Sequence, residues 1–183
     1  MGSIWRRLWS GRPKVYQQRQ WTDDQLQAQG FAYYKPMKQV TLVRQLPAAE
    51  APLTIQTPYD TIVAHAGYFI AYVAGTEMHI HLSQYEPRPI EPHIFEKTYL
   101  AWDDPTWKPS ATQAHLLALG CKPYYKIVGV WAKHLRQDTY VQSIESSRPA
   151  LAPVGAWLCV GVSGEPWSVT DTWFRSRYVI PHA

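Results

Sequence analysis

The chain has little charge, almost no cysteine and no long apolar run. Asp, Glu, Lys and Arg make up 17% of its 183 residues. No apolar run reaches the ~18 residues of a transmembrane helix, so the sequence predicts no span of a bilayer. Two cysteines, Cys121 and Cys159, supply neither a disulfide framework nor a set of metal ligands. We expect both to be buried thiols that pack as small hydrophobes, in a reducing compartment.

The common motifs of catalysis are missing as well. The sequence has no phosphate-binding Walker loop, no dinucleotide-binding glycine pattern and no Gly-x-Ser-x-Gly nucleophile elbow. We therefore expect a protein that is not an enzyme and that holds no cofactor.

What the chain does have is aromatic side chains and an internal repeat. Nine Trp and twelve Tyr are many for this length, and such side chains fill small β-rich cores or concentrate at interfaces. Residues recur in the same order in both halves, which indicates a tandem duplication of a unit of about eighty residues. Recurrent residues are expected to be scaffold, and residues confined to one copy are better site candidates. The matched segments are Trp21–Lys35 with Trp107–Lys126, Gly67–Ile70 with Gly155–Leu158, and Phe95–Tyr99 with Phe174–Tyr178.

Each repeat is predicted to open with a short helix and to continue as strands. Capping-box spacing, with a glycine to end each helix, occurs at Thr22 with Gln25 before Gly30, and at Ser110 with Gln113 before Gly120. Apolar alternation predicts strands at 39–43, 54–57, 59–63, 68–73 and 88–90, and again at 127–132, 139–143, 156–162 and 167–169. The recurrent pairs Tyr33-Tyr34 and Tyr124-Tyr125 are expected to be scaffold.

These patterns predict an α+β fold of two tandem small antiparallel β domains, each with a leading short helix, preceded by an N-terminal arm. The predicted boundaries are residues 1–20 for the arm, 21–102 for the first β-rich repeat, 103–106 for a linker and 107–183 for the second repeat. The patterns leave open whether the two sheets join.

The second copy carries the fuller version of a longer pattern. It runs Gly155-Ala156-Trp157-Leu158, then Gly164-Glu165-Pro166-Trp167, then Phe174 and Tyr178. This resembles a small phage and bacterial domain of unknown function with the pattern Pro-Gly-Asp-Trp, Gly-Glu-x-Tyr-Pro and Phe-x-x-x-Tyr, here in two copies. The resemblance implies a compact β-rich domain and brings no established chemistry. The chain departs from the pattern where the Asp after Gly becomes Ala156, or Tyr68 in the first copy.

The basic charge is confined to the first 20 residues. Five of the 18 Lys and Arg residues lie there and none of the 14 acids, so the remaining chain is nearly neutral. A nearly neutral body disfavours a general nucleic-acid-binding surface, and no specific nucleic acid is predicted. Four apolar residues of the arm fall on one side of a helix, away from its paired arginines. The predicted partner-binding residues are Ile4, Trp5, Arg6, Arg7, Leu8, Trp9 and Arg12.

A metal site is a further hypothesis. His79 and His81 are separated by one residue and would share one face of a strand, with Glu86 following. The spacing resembles part of a cupin metal motif. The second cupin motif is missing, and the second repeat has no histidine at this place. We therefore expect no bound metal, with these three residues as the candidates if one is bound.

Several functions remain open at this point. The first is a non-catalytic accessory or structural subunit of a large multiprotein assembly, with other protein subunits as partners. A mitochondrial respiratory-type complex is expected, because the Arg-rich, acid-free arm is similar to a presequence. A phage virion or the bacterial cytoplasm is the rival location, which follows from the domain resemblance. The alternatives are a cupin-like metal enzyme and a protein that contacts a membrane surface or RNA through the arm.

Overall fold

The computed structural model describes residues 14–181, which form fourteen β-strands and four α-helices. The predicted α+β class is confirmed. The first half contains β1 (Val15–Tyr16), α1 (Asp23–Ala28), β2 (Ala32–Tyr34), β3 (Thr41–Gln45), β4 (Leu53–Gln56), β5 (Thr61–Ala64), β6 (Phe69–Tyr72), β7 (Pro87–Ile90), α2 (Pro92–Thr98) and β8 (Tyr99–Ala101). The second half contains α3 (Ala111–Ala118), β9 (Lys122–Lys126), β10 (Val130–His134), β11 (Thr139–Val141), β12 (Ala150–Ala152), β13 (Trp157–Val160), β14 (Pro166–Val169) and α4 (Asp171–Arg175). None of these helices has the length and apolar character needed to cross a bilayer.

Both leading helices begin and end as their sequences predict. The Thr22 hydroxyl accepts from the Gln25 amide, and the Gln25 side chain accepts from the Thr22 amide. Ser110 and Gln113 repeat this capping box at α3. The glycine that follows each helix has a φ of +79° or +91°, which only glycine adopts without strain. The boxes satisfy amide groups that the first helical turn leaves unpaired.

The strands form two larger and two smaller sheets. The larger sheets have the orders β7-β6-β3-β9-β8 and β14-β13-β10-β2, and the smaller ones are β1-β11-β12 and β4-β5. The larger sheets share one plan, because β7-β6-β3 of the first repeat corresponds to β14-β13-β10 of the second. An isolated bridge between Pro36 and Tyr178 extends the second sheet at the place that β8 occupies in the first. The two halves therefore carry the same order of elements.

The first helix and strand of each repeat are exchanged between the two larger sheets. The second repeat's β9 pairs with β3, whereas the first repeat's β2 pairs with β10. The helices follow their strands. Leu116 of α3 is buried in one core with Leu42 of β3, and Leu26 of α1 is buried in another core with Leu158 of β13. Each repeat therefore completes the sheet and the core of the other.

This exchange corrects the predicted arrangement of two tandem domains. The segments that pack together are residues 41–126, here called the contiguous unit, and residues 14–34 with 130–181, here called the composite unit. A division into 21–102 and 107–183 cuts through both units. The physical reason is that a strand of three to five residues gains the same backbone hydrogen bonds from either sheet, so its own pattern does not decide its partner. The predicted linker, residues 103–106, lies inside the contiguous unit.

The exchange also shifts the match between the recurrent tyrosines by one position. Tyr34 in β2 and Tyr124 in β9 each face the first residue of the partner strand, so these two correspond. Tyr33 therefore corresponds to Pro123, and it is 48% exposed. The prediction that the whole Tyr pair is scaffold is wrong for Tyr33, because one step along a strand moves a side chain to the opposite face.

Each unit contains the same aromatic stack. Phe95 and Phe174 are buried, and each stacks on a ring from the neighbouring strand, with centroids 3.9 and 4.0 Å apart. Tyr124 meets Phe95 edge-on at 4.9 Å, and Tyr34 meets Phe174 edge-on at 5.2 Å. Edge-to-face contacts of this kind add to the stabilisation from burial. The exchanged strands are therefore held by side chains as well as by their backbones.

The last residues of the predicted arm belong to the fold. The strand β1 pairs in parallel with β11, and Tyr16 is 7% exposed in the core of the composite unit. The Lys133 ammonium donates to the Tyr16 hydroxyl at 2.8 Å. The guanidinium carbon of Arg19 lies 3.5 Å from the centroid of the Trp21 ring. These contacts place residues 14–20 with the composite unit rather than with a separate arm.

Candidate functional site

A cleft of about 220 Å³ lies at the junction of the contiguous and composite units. The contiguous unit contributes β7, α2 and β8 to its lining. The composite unit contributes β14, α4 and the chain that follows α4. Ligand sites commonly form at junctions of this kind, because neither unit fills the space between them.

Cations and aromatic rings line one end of this cleft, here called the cationic end. The Lys126 ammonium donates to the Tyr178 hydroxyl at 2.8 Å. The guanidinium carbons of Arg88 and Arg177 lie 4.8 and 5.9 Å from the centroid of the Trp173 ring. Cations within ~6 Å of a ring centroid are attracted to its face, which fixes their positions. The cationic end consists of Arg88, Tyr99, Lys126, Trp167, Trp173, Arg177 and Tyr178.

Several donors at the cationic end have no acceptor among residues 14–181. Arg88 forms an ion pair with Glu86 through one terminal nitrogen, but its Nε is buried without a hydrogen-bond partner, as is the Nε1 of Trp173. No described carboxylate oxygen lies within 4.0 Å of a side-chain nitrogen of Arg177. Burial lowers the pKa of Arg177, and the nearby charge of Arg88 also lowers it. Buried donors of this kind stabilise an acceptor that enters the site.

The lining also carries three carboxyl groups, here called the carboxyl wall: Asp60, Glu145 and Glu165. Burial raises the pKa of all three, because it disfavours the charged form. Of these, Glu165 is close enough to Lys126 for the ammonium charge to oppose part of the rise in its pKa. The pKa of Glu145 rises to about 7, and the neighbouring charges of Glu91 and Glu165 contribute to the rise. The Ser163 amide donates to Glu165 Oε2 at 2.7 Å, which holds that carboxylate in place.

The predicted partner-binding residues lie outside the described part of the chain, but the structure shows where the arm joins the fold. The strand β1 is an edge strand of the sheet β1-β11-β12. Val15, Tyr140 and Leu151 are in register across its three strands, and Tyr140 and Leu151 are 37% and 44% exposed. These three residues are here called the outer apolar row. The predicted partner-binding residues Ile4, Trp5, Arg6, Arg7, Leu8, Trp9 and Arg12 are among the residues that precede the described segment.

The two histidines of the metal hypothesis do not lie on a strand. His79 and His81 belong to irregular chain before a short 3-10 turn, so the expected shared strand face is wrong. The His79 ring meets the Tyr85 ring edge-on at 4.9 Å, and Glu86 is paired with Arg88. Across residues 14–181, no group of three or more His, Cys, Asp and Glu side chains lies close enough together to hold a metal ion. The spacing in the sequence suggested strand geometry, whereas the segment is a loop insertion.

Both cysteines are buried, as predicted. Burial raises the pKa of Cys121 to about 11 and also raises the pKa of Cys159. A thiol with a raised pKa stays protonated at neutral pH and is a poor nucleophile. Strand register places Cys159 at the position of Ala71, which supports a packing role.

The sequence patterns missed the cleft because its lining comes from segments far apart in the chain. A signal was present in the comparison of the repeats. The alignment of α2 with α4 places Ile94 where the second copy has Trp173, and Thr98 where it has Arg177. Residues confined to one copy were the expected site candidates, and these residues of the cationic end meet that criterion.

Comparisons with known proteins give no family for the chain. No protein-family model matches it, and neither a curated protein nor a solved structure gives a significant match. The function proposed below therefore rests on the sequence of the chain and on the geometry of residues 14–181.

Proposed function

We propose that the protein is a non-catalytic accessory subunit of a large multiprotein assembly, which docks through its N-terminal arm and the outer apolar row. The observation that carries the proposal is the position of β1, which joins the arm to a row formed by the half-buried Val15 and the exposed Tyr140 and Leu151. Clustered exposed apolar side chains are typical of surfaces that contact another protein. The row would extend the contact that the arm makes.

The partner that fits this surface is a protein with an apolar groove and acidic residues at its rim. The arm has four apolar residues on one predicted helical side, and no acid lies in the first 20 residues to pair with its arginines. A helix of about ten residues is marginal in water on its own, so docking would stabilise it. Carboxylates on the partner would form charge-assisted hydrogen bonds with Arg6, Arg7 and Arg12.

A mitochondrial respiratory-type complex is the proposed location, since the arm is similar to a presequence. A structural role in a phage virion or in the bacterial cytoplasm is the alternative, and it follows from the resemblance of each repeat to the small phage and bacterial domain. The arm would also suit contact with a membrane surface. The cupin-like alternative gains no support from the loop at His79 and His81.

Native sizing in extracts of the source cells tests the proposal. We expect the full chain to elute in a complex far larger than its own 21.0 kDa. Trp5→Ala with Trp9→Ala should release it, and Tyr140→Ser with Leu151→Ser should weaken its incorporation. Ile80→Ser is the matched control, because Ile80 is 74% exposed on a loop of the other unit. Elution of the unmodified chain at its own mass would contradict the proposal.

A further inference from the structure

The cationic end of the cleft combines unused donors with an excess of positive charge. Trp173 Nε1 and Arg88 Nε have no hydrogen-bond partner among residues 14–181, and the Arg177 guanidinium has no described carboxylate within 4.0 Å. Lys126 adds a fourth donor and the third cation, and its ammonium donates to the Tyr178 hydroxyl. A site that offers hydrogen-bond donors is complemented by a ligand that offers hydrogen-bond acceptors. A deprotonated oxyanion is such a ligand, because its oxygens only accept. All of these residues line one cavity. Arg88 Nε and Trp173 Nε1 are themselves covered, so the donors that a ligand in the cleft meets are the Arg177 guanidinium and the Lys126 ammonium.

We infer that the cationic end binds a small monocarboxylate with an apolar or aromatic body. A planar carboxylate matches the fork of a guanidinium group, which Arg177 presents without a described carboxylate partner. The rings of Trp167 and Trp173, together with Ile90 and Val169, supply apolar surface beside the donors. At about 220 Å³ the cleft is smaller than the ~300–1,000 Å³ of pockets for drug-sized ligands, so the ligand is of the size of one ring system.

The apolar lining distinguishes a monocarboxylate with an apolar body from a compact anion. Trp167 and Trp173 offer contact area that inorganic phosphate, which has no apolar body, does not use. The carboxyl wall repels an anion only as far as it is ionised, and burial raises the pKa of Asp60, Glu145 and Glu165. Inorganic phosphate is therefore the probe that separates a carboxylate site from a general anion site.

Titration of the full-length protein with phenylacetate, benzoate and inorganic phosphate tests the inference. Calorimetry measures the affinities, and a ¹H–¹⁵N spectrum follows the indole N–H signals. We expect saturable binding of at least one carboxylate, binding of phosphate that is about tenfold weaker or more because phosphate buries no apolar surface, and a shift of the Trp173 indole signal on carboxylate binding, since the Trp173 ring lines the cleft. Trp173→Phe identifies that signal, because it keeps a ring and removes the donor.

Variants at the site separate a built site from adventitious binding. Arg177→Gln removes the guanidinium and should weaken carboxylate binding about tenfold or more, and Trp173→Phe should weaken it a few-fold. Arg175→Gln is the matched control, because Arg175 lies in the same turn, is exposed and is paired with Asp171. It should bind as the unmodified protein does.

Three outcomes would overturn the inference. They are the absence of saturable binding of either carboxylate to the unmodified protein, unchanged affinity in Arg177→Gln, and phosphate binding as tight as carboxylate binding. If Arg177→Gln does not fold, the test rests on the unmodified protein and Trp173→Phe. Carboxylate binding without a shift of the Trp173 signal, or with unchanged affinity in Trp173→Phe, then rejects the site.

The docking surface of the proposed function lies elsewhere on the molecule. A failure of the proposed function and a failure of the carboxylate site are therefore distinguishable.

Discussion

At the scale of single residues, Glu145 is the group that links the cleft to pH. Burial raises its pKa from the ordinary value of 4.5 to about 7. The folded protein therefore favours the protonated carboxyl group more than the unfolded chain does. The contribution of this group to stability is fully present below pH 4.5 and is lost as the pH rises through about 7. The fold thus carries a destabilising charge at this position in alkaline solution.

The variant Glu145→Gln should remove this loss of stability. Glutamine is neutral at every pH, so we expect the variant to be more stable than the unmodified protein at pH 8 by ~1–3 kcal/mol, with no comparable gain at about pH 4.5. Urea unfolding at the two pH values measures the difference. Glu96→Gln is the control, because Glu96 is exposed. An equal gain at both pH values would show that the effect is not one of ionisation.

Gly164 allows the chain before α1 to pack closely against the turn between β13 and β14. Its φ is +77°, and a Cβ atom there would lie 1.9 Å from the carbonyl oxygen of Arg19. Gly155 has a φ of +87°, but a Cβ atom at that position would meet no other atom within 4 Å. Gly155→Ala should therefore cost only the left-handed backbone strain, ~1–2 kcal/mol. Gly164→Ala should cost ~1 kcal/mol or more beyond that, because the backbone of residue 19 has to move.

Chemical denaturation of the two glycine variants measures these costs. The comparison isolates the contact with Arg19, since the backbone strain is common to both positions. Equal destabilisation would mean that residues 14–20 do not pack on this turn in solution.

At the scale of elements, the sequence predicted the structural features that depend on interactions between residues close together in the chain. The capping boxes at Thr22 and Ser110 act within four residues, and both helices begin where they predict. The strand expected at 39–43 is observed at Thr41–Gln45, because alternation marks a strand well and its ends poorly. The exchange of β2 and β9 could not be predicted, because the choice between two equivalent sheets depends on packing far along the chain.

The assembly of the candidate site from separate elements was beyond prediction for a related reason. Arg88, Lys126 and Arg177 come from three separate elements, and no local motif connects them. His79 and His81 had the more conspicuous spacing, but the spacing has meaning only if the segment is a strand. A comparison of the repeats position by position would have singled out Trp173 and Arg177.

Truncation separates the arm from β1. Deletion of residues 1–13 removes none of the contacts among residues 14–181 and should leave the melting temperature unchanged. Deletion of residues 1–20 also removes β1 and the buried ring of Tyr16. Loss of a buried aromatic side chain costs ~3–5 kcal/mol, so this truncation should melt several degrees lower. Residues 1–13, and not the whole of the predicted arm 1–20, are therefore the segment that we expect to be dispensable for folding.

Thermal unfolding of the two truncated chains, followed by circular dichroism, provides the measurement. Tyr16→Ala in the full chain should reproduce most of the effect of the longer deletion. If the two truncations melt at the same temperature, β1 and Tyr16 contribute nothing to the fold.

At the scale of the whole molecule, the two units have the same arrangement of strands and helices, but the chain connects those elements differently in each. The contiguous unit is a single stretch of chain, whereas the composite unit joins an N-terminal helix and strand to the C-terminal half. Only the segments 35–40 and 127–129 pass between the units. The two repeats have different residues at the positions that line the junction, so the junction is not symmetric. Cations from both units lie at one end of the cleft.

This connectivity predicts which fragment folds alone. Residues 38–127 contain all five strands β7-β6-β3-β9-β8 and the helix α3, whose Leu116 fills the core beside Leu42. We expect this fragment to be a folded monomer with dispersed ¹H–¹⁵N signals and a cooperative thermal transition. Residues 21–102 contain a whole repeat but lack α3 and β9, so their core stays open and no folded monomer is expected.

Light scattering and thermal unfolding of the two fragments decide between the exchange and a plain tandem arrangement. A cooperative dimer of residues 21–102 would agree with the exchange, because each copy would supply α1 and β2 to the sheet of the other. A folded monomer of residues 21–102, with residues 38–127 unfolded, would mean that each repeat closes its own sheet. In that case the cleft would lie between two independent domains, and the donors of the cationic end would not be held at fixed distances from one another.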